Sequence, residues 1–124
     1  MENFSFENLD AYQKSRQLVV SVYKIINTLP VNERFALSSQ LQRSIVSVAS
    51  NIAEGSGRVS IKEKIHFLEI SFGSLMEAYA QLQVCCDLNY IHEDTLNSIK
   101  PEFFSVSRLI TGLRNSFSKK LSES

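Results

Sequence analysis

The sequence predicts an all-α protein, an antiparallel up-down-up-down four-helix bundle whose second helix also calls for a partner chain, and three observations predict it. Apolar residues recur at alternating steps of three and four along four stretches, the period of one helix face. Of the 4 Gly and 2 Pro, Pro30, Gly55 and Gly57 sit where those stretches break. Arg43 is the only charged side chain from Phe35 through Ala53, so the second helix is covered on nearly every face, more than a small bundle alone provides.

At 124 residues the chain suits one domain spanning 1–124, with a single core. Helix 1, about residues 9–28, carries Ala11, Ser15, Leu18, Val22, Ile25 and Leu29, and Leu29-Pro30 ends it. Helix 2, about 33–54, is expected to take Asn32 as its cap and to bury Leu37, Leu41, Ile45, Val48 and Ile52. It should stop at Gly55 in the left-handed conformation. Helix 3, about 61–89, opens with Ser60 and Glu63 at capping-box spacing and runs through Ile65, Leu68, Phe72, Leu75, Tyr79, Leu82 and Cys86. Helix 4, about 93–120, follows Leu96, Ile99, Phe103, Val106, Ile110, Leu113 and Phe117. Pro101 predicts a kink or a late start there. The short connections make successive helices antiparallel. Phe4 and Phe6 form an arm expected to pack on the bundle or on a neighbour.

The 13 Lys plus Arg balance the 13 Asp plus Glu, so no global charge drives the chain onto nucleic acid or a membrane. The first ten residues lack a basic region followed by an apolar run, and no stretch approaches about 18 consecutive apolar residues. Adjacent Cys85 and Cys86 match neither a metal spacing nor a disulfide framework. A cytoplasmic protein without a membrane partner is expected.

Catalytic chemistry finds little footing. His66 follows Glu63 at the Glu-x-x-His spacing of di-iron bundles, but the second pair and the further inward carboxylates are missing, so no metal and no cofactor is expected. The cysteines have no cationic partner nearby in sequence, the serines have no identifiable base, and Gly55-Ser56-Gly57 is a turn. The chain reads as a non-enzyme with no catalytic residues.

The polar ladder of helix 2 is more informative. Gln40, Ser44, Ser47, Asn51 and Glu54 share one stripe, with Arg43 and Ser50 beside it. A solvated face usually carries Lys and Glu, so these small polar residues point to a helix contact. Gly73-Ser74 inside helix 3 suggests close packing as well. From Ile65 to Ile99 the acidic residues are Glu69, Glu77, Asp87, Glu93 and Asp94. The opposite end of an antiparallel bundle gathers Arg58, Lys62 and Lys64 with Arg114, Lys119 and Lys120. Helix 4 cations stabilise a helix C-terminus, whereas Lys62 and Lys64 lie by a helix N-terminus, where an anion is favoured.

Phe6-Glu7-Asn8-Leu9 with Tyr12, Val22-Tyr23, Leu29-Pro30, Gln40-Leu41-Gln42-Arg43, Asn51-Ile52-Ala53-Glu54-Gly55, Arg58 and Gly73-Ser74-Leu75-Met76-Glu77 resemble the bacterial 23S rRNA intervening-sequence proteins. The resemblance implies a four-helix bundle assembling into a ring, typically a homopentamer, with no established enzymatic activity. A related accessory protein of diversity-generating retroelements looks similar, which implies a basic ring facing nucleic acid and a reverse transcriptase. By similarity the family positions here are Gln40, Arg43, Asn51, Glu54, Gly55 and Arg58. Two readings follow. One is a homo-oligomeric interaction protein organised by the helix 2 ladder, including Ser44 and Ser47. The other is a ring that binds RNA or DNA through Arg58, Lys62, Lys64, Arg114, Lys119 and Lys120. A different protein partner is compatible with either.

Overall fold

The computed structural model describes residues 2–124, and its elements are helical throughout. The four long helices are α1 (Asp10–Ile26), α2 (Leu37–Ser56), α3 (Ile61–Asp87) and α4 (Glu93–Glu123). Short 3₁₀ segments at Ser5–Asn8 and Val31–Glu33 precede α1 and α2. Each long helix packs on its neighbours in the cycle α1, α2, α3, α4. Paired positions fall on α3 as they rise on α2: Ser44 meets Gln81, Ser47 meets Ser74 and Val48 meets Ser71. The same reversal relates Glu69 to Arg114 and Tyr79 to Phe103, so neighbouring helices run antiparallel in a four-helix bundle.

The core is the apolar stripe of each helix turned inward. Leu18 and Val22, Leu41, Ile45, Val48 and Ile52, Leu75 and Leu82, and Val106 and Ile110 are all at most 1% exposed. Burying one such side chain contributes roughly 1.5–3 kcal/mol, offset in large part by the chain entropy lost on ordering. No described helix is long and apolar enough to cross a membrane.

Several helix ends differ from expectation. Asn32 does not cap α2. Pro30 instead opens a tight turn closed by Glu33, Arg34 and Ala36 amides donating to the carbonyls of Pro30, Val31 and Glu33, and α2 begins only at Leu37 with no side-chain cap. Gly55 lies within α2, which continues to Ser56 with Gly57 at its end, and no glycine has positive φ. A close approach explains Gly55 better, since an added Cβ would sit 2.8 Å from Cβ of Phe67 on α3. The left-handed residue is Asn89 (φ 61°), which turns the chain after α3. Its amide and that of Tyr90 bond back to the Cys86 and Cys85 carbonyls, closing a Schellman motif.

Ser60 Oγ accepts from the Glu63 amide at 3.0 Å, but the Glu63 carboxylate does not reach back, so only half of the capping box forms. The start of α4 is not delayed by Pro101, because His92 Nδ1 caps it by accepting from the Asp94 amide and the helix continues through the exposed proline. The arm packs in part: the Phe6 ring meets Tyr12 edge-on at 4.8 Å, while Phe4 stays 75% exposed.

Candidate functional site

The α2 ladder divides between the chain's interior and its surface. Ser44 is buried and donates to Gln81 Oε1 on α3 at 2.8 Å. Ser47 Oγ pairs with Ser74 Oγ of α3 at 2.8 Å, and Asn51 Nδ2 donates to both the carbonyl and the hydroxyl of Ser47. Ser71 adds a fully buried link across the same interface, donating to the Val48 carbonyl at 2.7 Å. Much of the covering that the charge-poor α2 requires therefore comes from α3 of the same chain, because small serines let the two helices meet through their hydroxyls. Gln40 and Arg43 remain exposed, as does Ser50. Glu54 forms an i,i+4 ion pair with Arg58 at 2.9 Å. The close packing expected at Gly73 does not occur within the chain, since nothing lies within 4 Å of an added Cβ.

The six cations do gather at one end. Lys64 Nζ donates to the Ser56 carbonyl at 3.0 Å and lies 5.9 Å from the Phe117 ring, so the α2–α3 turn meets the close of α4. Most of these charges are engaged. Besides its pair with Glu54, Arg58 lies 4.5 Å over Phe67. Arg114 binds Glu69 at 3.0 Å, and Lys120 lies 5.6 Å from Phe117. Lys62 and Lys119 are exposed, and neither they nor Lys120 forms an ion pair among the described residues.

His66 is exposed against the edge of Phe67, and no three potential metal ligands cluster among the described residues. Burial pushes the Cys85 thiol up to about 11, the opposite of the shift that activates a nucleophile.

One surface escaped the sequence reading. Phe72, Met76 and Tyr79 of α3 and Lys100, Phe103, Phe104 and Ser107 of α4 line an open apolar groove. Phe103 is buried, whereas Phe104 is 52% and Met76 43% exposed. The available signal was the Phe103-Phe104 pair: neighbours on a helix diverge by about 100°, so with Phe103 on the inward stripe with Ile99, Val106 and Ile110, Phe104 falls at or beyond its edge.

Comparison with known proteins agrees with this description. Residues 7–112 match the family described as 23S rRNA-intervening sequence protein. No curated protein matches the sequence. Among solved structures, the chain is similar to a protein of unknown function from the S23 ribosomal protein family of Bacteroides thetaiotaomicron VPI-5482. The TM-score is 0.76 at 25% identity, with 84% of this chain and 97% of that one covered. A match of this extent, on a shared fold, means that the chain belongs to the 23S rRNA-intervening sequence protein family.

Proposed function

We propose that this protein is a non-catalytic interaction module that self-associates into a cyclic homo-oligomer, five copies being what the family resemblance implies. The observation that carries this reading is the apolar surface of α3 and α4. Met76 and Phe104 are about half exposed beside Phe72, Tyr79 and Phe103, and Ile70 and Val84 are exposed on the outer side of α3. Isolated apolar residues are ordinary on a surface, but a contiguous groove of aromatic and Met side chains marks a contact site. Both cysteines are free, as suits a reducing compartment such as the cytoplasm.

The nucleic-acid reading draws less support. Of the six cations assigned to it, Arg58 and Arg114 are neutralised by carboxylates and Lys64 is tied to a backbone carbonyl. The two readings separate in one experiment, light scattering on nuclease-treated protein at about 1 M salt, where charge contacts are screened within a few ångströms and apolar burial is not weakened. Self-association through apolar surface keeps its mass under those conditions. Collapse to single chains there shows that charge or nucleic acid holds the copies together.

A further inference from the structure

The outer side of α3 carries a second exposed surface. Ile70, Gly73, Glu77, Ala80, Val84 and Asp87 recur at alternating steps of three and four, and all six are exposed. This is the spacing with which one helix lies along others at a shallow angle. Ile70 and Val84 are 38% and 45% exposed. At Gly73 nothing lies within 4 Å of where a Cβ would stand, so the stripe is open there. The charges on the stripe, Glu77 and Asp87, form no ion pair among the described residues.

The α3–α4 groove has the opposite character. Lys100, with its ammonium 6.0 Å from the Tyr79 ring, lies at one end of it, and Arg108 follows Phe104 by one helical turn on the outer rim. Neither has a carboxylate partner among the described residues. At about 1.5 Å per residue, the groove's cations stand about 12 Å apart along α4 and the stripe's acids about 15 Å apart along α3. The apolar residues between each pair of charges, Met76 and Phe104 in the groove and Ala80 and Val84 on the stripe, complement each other in size.

We infer that the α3–α4 groove receives the outer α3 stripe of a second copy, so that copies join head to tail through two different surfaces. This inference rests on the self-association reading and specifies its contact. Charge selects the pairing. Stripe against stripe sets Glu77 and Asp87 against their own kind, groove against groove does the same to Lys100 and Arg108, and only stripe against groove brings opposite charges together. Such a heterologous contact builds rings or filaments.

The test uses full-length chains with charges exchanged at exposed positions, so the cores stay intact. One variant carries Lys100→Glu and Arg108→Glu, and the other carries Glu77→Lys and Asp87→Lys. Each variant alone should fall to 14.0 kDa with its helical circular dichroism kept, the association weakening by about a hundredfold or more. Placing all four changes in one chain, which reverses both surfaces together, should restore the large species. If wild-type protein is itself a single chain, the self-association reading fails. If wild type assembles and either variant alone assembles equally well, or the chain carrying all four changes stays dissociated, this contact is wrong and the groove serves another occupant.

Discussion

Gly55→Ala and Gly112→Ala should shift stability in opposite directions, and the structure sets the size of the difference. At Gly55 the added methyl meets Cβ of Phe67 at 2.8 Å. That carbon is fixed to its backbone and cannot rotate away, so α2 and α3 must separate locally. Overpacking of this kind costs about 1–3 kcal/mol. The better helix propensity of Ala returns at most about 1 kcal/mol, and less here because Gly55 lies in the last turn of α2. The net expectation is a loss of about 1–2 kcal/mol. At Gly112, inside α4 with nothing within 4 Å, only the propensity term acts and the protein gains about 1 kcal/mol. With a urea m-value of about 1–3 kcal/mol/M, the midpoints should move apart by about 1 M or more. Urea titrations followed by far-UV circular dichroism at matched protein concentration measure this. If both variants are stabilised alike, α2 and α3 are not in close contact at Gly55 and the described packing is incorrect.

Two further predictions concern local chemistry. Ser60→Ala should destabilise by about 1 kcal/mol, because it removes the acceptor for the Glu63 amide, and Ser60→Gly should cost only a few tenths; thermal melts of the two compare them. Cys86 should react with a thiol reagent well before Cys85. Because the folded thiol of Cys85 binds its proton more tightly, near 11 against an ordinary 9.0, its contribution to stability is whole below pH 9 and declines as pH rises toward 11. Urea midpoints across that range should fall less steeply for Cys85→Ala than for wild type, and identical slopes would exclude the mechanism.

The fold was legible because its signals are local and repeated. The three-and-four spacing of Leu41, Ile45, Val48 and Ile52, or the seven-residue repeat of Leu68, Leu75 and Leu82, survives any uncertainty about helix ends, and these residues are in the core. Helix ends were less legible because several turn chemistries compete over a few residues. The Pro30 turn draws Asn32 away from capping, Gly55, expected to turn left-handed after α2, stays helical, and the left-handed residue is Asn89 after α3. For the candidate site, the family positions and the basic end were readable. The use of the ladder was not: Ser44, Ser47 and Asn51 have the composition of a helix contact, but composition does not say whether α3 of the same chain or another chain supplies the partner. The apolar groove was illegible for a related reason. It exists only where two helices stand side by side, and one helix pattern records only which residues face inward.

The self-association at the centre of this account is tested most directly by the mass of the unmodified chain in solution. Sedimentation equilibrium over a wide dilution range should return an integral multiple of 14.0 kDa that persists to low concentration. A value of 14.0 kDa at every concentration would mean that the exposed surfaces of α3 and α4 are not covered by another copy, contradicting the proposed function.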